Sequence, residues 1–216
     1  MDEAFRDIAS SLAAISRSFY ARGWALGTSG NFSAVLSRDP LCLAITPSGA
    51  DKGELNADQI LIIGPEINET GDLNRKPSAE ALLHIQVVLA RGAGAVFHTH
   101  SVWNTIVSGL CARAGGKLIE GFEMLKGLEG VKSHEHREWL PIIENSQDMP
   151  ALVEGVSQTL KEYPDSHGLL LKRHGLYTWG ANLGQAKRHV EILEFLLETV
   201  GRLHSMEPKV DSITPR

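Results

Sequence analysis

Two histidines separated by one residue end a short apolar run, Ala93-Gly94-Ala95-Val96-Phe97-His98-Thr99-His100. Such a run predicts a buried β-strand. Because strand side chains alternate between the two faces of a sheet, His98 and His100 are predicted to point to the same side. Imidazole is a common zinc ligand, and a catalytic zinc ion typically has three protein ligands and one open position. A pair spaced in this way is equally compatible with core or surface histidines that bind no metal.

A third histidine supports the metal interpretation. His174 follows a second apolar run, Gly168-Leu169-Leu170-Leu171, and is itself followed by Gly175. Histidines at the ends of two strands can meet at one edge of a sheet, so His98, His100 and His174 are the candidate metal ligands. The residues alone leave the structural alternative open.

Two turns rich in glycine and hydroxyl side chains precede the histidine strand. Gly27-Thr28-Ser29-Gly30-Asn31 leads into a predicted strand at 32–36, and Pro47-Ser48-Gly49 ends a predicted strand at 41–46, with Lys52 three residues further on. The backbone N–H groups of such turns can approach an anion closely. The two turns and the lysine therefore form a candidate phosphate pocket. The alternative is two hairpin turns and a solvated lysine.

Glu80 stands at the start of a predicted helix that ends near Arg91, after Pro77 and Ser78. A glutamate there ordinarily compensates the helix dipole. That helix, however, leads directly into the histidine strand, so its N-terminal end can face the metal. In that case Glu80 is a candidate fourth ligand or base.

Three other acidic or histidine-containing stretches have weaker patterns. Glu123 and Lys126 are typical of a solvated helix face, and periodicity assigns them no chemistry. The His134-Glu135-His136 phrase repeats the metal-like spacing, but no long apolar run precedes it, so an exposed turn is predicted. On the last helix, Glu194 is predicted to be solvated. No role is assigned to four further histidines in helical or loop settings, which are His84, His167, His189 and His204.

Periodicity predicts the remaining elements. Helices are expected at 2–22, 102–110, 149–163 and 182–204, and strands at 59–63, 139–143, 168–173 and 176–179, with an exposed loop or hairpin at 64–76. Ser101 is the predicted cap of the helix that begins at Val102. After that helix, Gly115 and Gly116 are expected to break the chain.

Composition limits the possible classes of protein. The chain has 216 residues, 43% of them hydrophobic, which suits a single domain over 1–216 with a loose polar tail from about residue 205. A formal net charge of −5 gives no broad positive surface for nucleic acid. Cys42 and Cys111 are too few for a disulfide framework, and no apolar stretch approaches the roughly 18 residues of a membrane span. The beginning Met1-Asp2-Glu3-Ala4 does not resemble a signal peptide. A cytoplasmic protein that does not bind membranes is expected.

In their order along the chain, these phrases resemble the class II aldolase and adducin-head family. The matching phrases are Gly27-Thr28-Ser29-Gly30-Asn31-Phe32-Ser33, Thr46-Pro47-Ser48-Gly49, Lys76-Pro77-Ser78-Ala79-Glu80, His98-Thr99-His100 and His174-Gly175-Leu176-Tyr177. The resemblance implies an α/β fold with three layers, α/β/α, around a mixed and largely antiparallel sheet. It also implies one Zn²⁺ per subunit on the three histidines and a homotetramer. The matching phosphate-binding positions are Thr28, Gly30, Asn31, Ser48, Gly49 and Ser78, beside the candidate Lys52.

Within the family, the phrases at 123–127 and 145–148 are most similar to a dehydratase branch. The implied activity is loss of water from 5-methylthioribulose-1-phosphate, a phosphorylated ketose of methionine salvage, with Glu123 as the acid/base residue. Glu80 stands where related sugar-phosphate aldolases carry a catalytic glutamate, so two carboxylates compete for that role. A class II aldolase or pentose-phosphate 4-epimerase is the closest alternative. A non-catalytic adducin-like interaction domain is expected to lack the zinc histidines.

Overall fold

The computed structural model describes residues 3–64, 69–70 and 76–206. The strands in these ranges are β1 Asn31–Arg38, β2 Leu41–Ile45, β3 Leu61–Ile63, β4 Glu69–Thr70, β5 Ala95–Thr99, β6 Gly116–Glu120, β7 Arg137–Ile143, β8 Gly168–Leu171 and β9 Gly175–Gly180. The helices are α1 Glu3–Ala21, α2 Ala81–Arg91, α3 Val102–Cys111, α4 Met149–Glu162 and α5 Leu183–Met206. A short 3-10 segment covers Glu123–Gly127.

The strands form one sheet in the order β4-β3-β2-β1-β5-β9-β8-β7-β6. Neighbouring strands are antiparallel, except for β7 and β8, which are parallel. This arrangement confirms the predicted mixed, largely antiparallel sheet.

Helices cover both faces of the sheet. Side chains of α2 and α4 pack with Val96 and Tyr177 on one face, whereas α1 and part of α5 pack with Phe97 on the other. A third cluster joins α3 and the rest of α5 to the sheet. Because side chains alternate along β5, His98 lies on the same face as Val96, next to α2. The three-layer α/β/α prediction is therefore confirmed.

Local signals determine most boundaries. Ser101 caps α3, since its side-chain oxygen accepts a hydrogen bond from the Asn104 N–H at 3.0 Å. The loop predicted at 64–76 contains β4, and residues 65–68 and 71–75 lie outside the described ranges. In the predicted loose tail, α5 continues to Met206, and residues 207–216 are also outside them.

Two expectations about individual segments are wrong. Gly115 and Gly116 indicated a chain break, but Gly116 begins β6, where it lies directly against the Trp139 ring and pairs with β7. Glu194, expected in solvent, is only 2% exposed. The reason is that α5 is covered on several sides, so that Leu193, Leu196 and Leu197 are buried around it. None of the helices within the described ranges is long and apolar enough to cross a membrane.

Candidate metal centre

Strand pairing brings the three predicted histidines together. In the antiparallel pair of β5 and β9, His98 is opposite Tyr177 and Thr99 is opposite Leu176. His174 lies in the tight turn between β8 and β9, immediately before Gly175. The end of β5 and the beginning of β9 are therefore adjacent, although the residues are far apart in the sequence.

The ring nitrogens converge on one point. The His98 Nε2 atom lies 2.7 Å from His100 Nε2 and 3.4 Å from His174 Nε2. These three histidines form a group that could hold a metal ion, with ligand atoms within 4.8 Å of one another. The prediction that His98 and His100 share one side of the sheet is thus confirmed.

The other ring nitrogens identify the tautomers. His98 Nδ1 lies 3.0 Å from the Leu176 carbonyl oxygen, and His174 Nδ1 lies 3.2 Å from Asn145 Oδ1. Because both oxygens accept hydrogen bonds, each Nδ1 carries the proton and each Nε2 presents a lone pair. Lone pairs that converge in this way repel one another unless a cation lies between them, so the donor set fits a divalent metal.

Burial keeps the His98 and His100 imidazoles neutral. It lowers the pKa of His98 well below the usual value, with a further contribution from the neighbouring histidines. It also lowers the pKa of His100 to about 4. The Tyr177 ring stacks on His98 at a centroid separation of 3.9 Å. Neutral rings held by packing are prepared to bind a metal without first losing a proton.

Glu80 lies beside the same nitrogens. Its Oε1 atom is 3.3 Å from His174 Nε2 and 3.7 Å from His98 Nε2. The residue is the N-cap of α2, and its own N–H donates to Ser78 Oγ at 3.2 Å. The start of α2 therefore faces the histidines, and this places a carboxylate at the candidate metal centre.

A buried polar chain holds Glu80 from behind, and one of its members, His84, has no role in the sequence prediction. The Asn31 Nδ2 group donates to Glu80 Oε2 at 2.7 Å, and His84 contacts Asn31 Oδ1 through Nε2 and Ser33 Oγ through Nδ1. Burial lowers the pKa of His84 to about 3, so the ring is neutral. Because Asn31 Oδ1 can only accept, Nε2 carries the proton and Nδ1 accepts from the Ser33 hydroxyl. The available sequence signal was the four-residue spacing of Glu80 and His84, which puts both on one helix face.

Lys52 joins the two candidate phosphate turns. It is completely buried, and its Nζ atom donates to the carbonyl oxygens of Thr28 at 3.3 Å and Ala50 at 3.0 Å. Burial lowers its pKa to about 8, partly offset by Asp51. Its charge in turn lowers the pKa of His100, so the lysine lies near the histidines. The solvated-lysine alternative is wrong.

The other candidate phosphate residues differ in exposure. Thr28, Ser48 and Gly49 are exposed, and Ser78 is half-buried beside Glu80. Gly30 has a φ of +73°, and an added Cβ would lie 2.8 Å from the His98 carbonyl oxygen, so this position requires glycine.

Glu123 lies in a different setting. It belongs to the 3-10 segment and its side chain is 72% exposed. Within the described part of the chain its ionic partners are Lys126 at 2.6 Å and His134 at 3.8 Å, rather than the three candidate ligands. The hydrogen bond from Lys126 holds the pKa of the Glu123 carboxyl below its usual value.

Comparisons with known proteins agree with this architecture. The model of the family "Class II Aldolase and Adducin N-terminal domain" matches residues 10–200. The chain belongs to the class II aldolase and adducin family.

Two proteins of the same name are similar to this chain over most of its length. Methylthioribulose-1-phosphate dehydratase of Sorangium cellulosum (strain So ce56) is 39% identical over 196 residues, which cover 90% of this chain and 92% of the relative. The protein of that name from Pseudomonas syringae pv. tomato is 42% identical over 183 residues, covering 84% of this chain and 88% of the relative.

Solved structures share the fold. YgbL of Escherichia coli superposes with a TM-score of 0.77 at 25% identity, covering 95% of this chain and 93% of YgbL. An L-fuculose 1-phosphate aldolase superposes with a TM-score of 0.75 at 21% identity, covering 94% of this chain and 89% of the aldolase.

Proposed function

We propose that the protein is a zinc-dependent dehydratase that converts 5-methylthioribulose-1-phosphate into 2,3-diketo-5-methylthiopentyl-1-phosphate in methionine salvage. The observation that carries this proposal is the convergence of His98, His100, His174 and Glu80 in a chain 39% identical to a relative of that name over 90% of its length. Two imidazoles from one strand and a third from a neighbouring turn suit zinc, because three protein ligands leave a coordination position for substrate.

The bound ion would supply Lewis acidity that stabilises negative charge on the substrate's ketone oxygen. The carbon next to the ketone then loses its proton to a carboxylate, and the hydroxyl on the following carbon departs as water after accepting a proton. The resulting enol becomes the diketone by moving its hydroxyl proton to carbon. Atoms balance, since one proton and one hydroxide leave as water.

Two carboxylates have different roles in this proposal. Glu123 is the acid/base residue, supported by its dehydratase-like phrase at 123–127. Glu80 helps to hold the ion from a position next to the three ligands, supported by its 3.3 Å approach to His174 Nε2. The Asn31 amide holds the Glu80 carboxylate in position, because it donates to the oxygen that faces away from the histidines.

The phosphate of the substrate would be held by the two turns that Lys52 joins. The exposed hydroxyls of Thr28 and Ser48 and the backbone N–H group of Gly49 suit a phosphate, as does the Lys52 ammonium between the turns. Ser78 and Gly30 belong to the same proposed pocket. The side chain of Asn31 is already engaged by Glu80, so its proposed contribution is through the main chain.

A homotetramer in the cytoplasm is also part of the proposal. It is supported by large apolar side chains on the surface, among them Val102, Leu110 and Leu203, which are 63%, 52% and 51% exposed. Light scattering after gel filtration measures the mass directly, and a monomer would overturn this part.

The activity is tested by incubating the zinc-loaded protein with methylthioribulose phosphate, fuculose phosphate and ribulose phosphate in parallel. We expect a diketone from the first and no reaction with the others. Release of an aldehyde from either sugar phosphate, with no diketone from the first substrate, would instead support a class II aldolase.

A further inference from the structure

A second cluster of metal-ligating side chains lies at the other end of β8 from His174. It consists of His136, Glu138 and His167. His136 immediately precedes β7 and Glu138 lies within it, whereas His167 immediately precedes β8. Because β7 and β8 are parallel neighbours, their beginnings lie at the same edge of the sheet. The His134-Glu135-His136 phrase includes one member of this cluster, but His136 is grouped with Glu138 and His167 rather than with His134.

Two imidazoles face one carboxylate oxygen. Glu138 Oε2 lies 2.8 Å from His136 Nε2 and 2.9 Å from His167 Nδ1. The Glu138 side chain is 1% exposed, and these ligand atoms lie within 4.8 Å of one another. Such a set of two imidazoles and one carboxylate is a common environment for first-row divalent cations.

The contacts behind these groups orient them as metal ligands are usually oriented. His167 Nε2 lies 2.9 Å from the Glu129 carbonyl oxygen, so Nε2 carries one proton, and a metal ion would replace the proton on Nδ1, which faces Glu138. His98 shows the same device, with its Nδ1 on the Leu176 carbonyl oxygen. The second oxygen of Glu138 accepts the His167 backbone N–H at 2.8 Å, which fixes the carboxylate.

We propose that His136, Glu138 and His167 form a second site for a divalent cation of the zinc type, separate from the candidate catalytic centre. A divalent ion would replace the two protons that otherwise lie between the rings and the carboxylate, and it would keep the Nε2–H bond of His167 to the Glu129 carbonyl oxygen. The remaining coordination position would be taken by water.

A cavity gives an ion access to this site. It has a volume of about 540 Å³ and is lined by His136, His167, Glu129 and Asp165, among others. His136 is the exposed member, with 30% of its side chain accessible. The cation would therefore enter from solvent on the His136 side and fasten the beginnings of β7 and β8 to the segment at Glu129.

The experiment measures zinc per chain. Protein dialysed against a chelator is reloaded at increasing micromolar free zinc, and bound metal is measured by elemental analysis and isothermal titration calorimetry. We expect two equivalents in the wild type, one in His136→Ala and one in His98→Ala, with dehydration of methylthioribulose phosphate retained in His136→Ala and lost in His98→Ala. His134→Ala is the matched control, because it removes an exposed imidazole from the same turn and leaves the cluster intact.

The result that overturns the proposal is an equal zinc content in the wild type and in His136→Ala, whatever that content is. It would mean that the wild type binds no ion that depends on His136. His136→Gln provides a second variant of the same position, and circular dichroism confirms folding. Failure of the catalytic proposal is distinguishable, since it would appear as loss of the equivalent assigned to His98 or as absence of activity.

Discussion

At the level of single residues, the candidate site depends on which atom of each side chain is left free. His98 and His174 direct Nε2 inward because Nδ1 is held by an oxygen acceptor. Glu80 directs Oε1 toward the histidines because Oε2 accepts from Asn31. The role of His84, which holds Asn31 behind Glu80, can be tested in the same way.

Replacing His84 by Leu leaves Asn31 Oδ1 and the Ser33 hydroxyl without their buried partner. We expect kcat to fall by about 10- to 100-fold, the usual cost of removing a group that orients a metal-site residue. The KM should change little and zinc content should be retained, because His84 contacts no metal ligand and reaches the phosphate turn only through the Asn31 side chain. His84→Gln, which can still hydrogen-bond, should recover part of kcat. Equal loss in both variants, with normal folding, would contradict the positioning role.

The roles of Glu123 and Glu80 can be distinguished by replacing each of them with glutamine. Glu123→Gln should retain zinc and abolish dehydration, because an amide cannot take a proton at neutral pH. Glu80→Gln should lower zinc content as well, since its oxygen lies beside the ligand nitrogens. Steady-state kinetics and elemental analysis on both variants make the comparison. Near-normal turnover of Glu123→Gln would move the acid/base role to Glu80.

We expect substrate binding to depend on pH through the charge of Lys52. Its pKa is lowered to about 8 by burial, so the ammonium is present below pH 8 and is lost as the pH rises through that value. The phosphate is a dianion over this range, and KM should therefore rise roughly tenfold above pH 8. Asp51 raises this pKa and the nearby His100 is neutral, so neither reverses the sign. Lys52→Met should have a high KM that does not change between pH 7 and 9. A wild-type KM that is equally flat would refute the role.

At the level of elements, the close approach of β5 and β9 sets the spacing of the ligands. Gly175 has no side chain where one would collide with the Thr99 carbonyl oxygen at 2.4 Å and His98 Cε1 at 2.6 Å. The two strand ends can approach this closely only because residue 175 is glycine.

Gly175→Ala should therefore separate the strand ends, destabilise the protein by about 1–3 kcal/mol and weaken zinc binding. Gly94→Ala is the matched control at the other end of β5, where a Cβ would lie 2.1 Å from the Ala181 carbonyl oxygen. It should destabilise the protein by a similar amount and leave zinc affinity unchanged. Thermal unfolding and zinc titration test both variants, and equal zinc affinities would show that strand spacing does not position the ligands.

The sequence predicted the elements that carry the site better than those that support it. Periodicity placed β5 and the beginning of α2 correctly, because an apolar run and a Pro-Ser start are local signals. It missed β6, since Gly116 was interpreted as a break while its pairing with β7 depends on a distant Trp139. It also misassigned Glu194, whose burial depends on Thr99 and Asn104, both remote in the sequence.

At the scale of the whole molecule, the periodicity of the sequence could not predict the order of the strands in the sheet. Nothing local indicates that β1 lies beside β5, or that the turn at His174 meets the end of β5. The resemblance to the family predicted that arrangement instead. The family's motifs occur in the same order along this chain, and proteins that share them share a fold. The polar chain through Asn31 and His84 shows the limit of this approach, since its members face one another only after β1 and α2 have packed.

A metal held between β5 and the β8–β9 turn should also stabilise the entire fold, because it joins His98 to His174 across a long stretch of chain. An ion that binds the folded state alone adds about 4 kcal/mol when its free concentration is roughly 1,000 times its Kd. For a chain of this length we expect chelation to lower Tm by about 10 °C. The measurement should be made in the His136→Ala background, so that the second proposed site does not contribute. His98→Ala combined with His136→Ala is the control and should unfold at the same temperature with and without chelator. An unchanged Tm in His136→Ala after verified loss of zinc would mean that the three histidines are held in place by the protein alone.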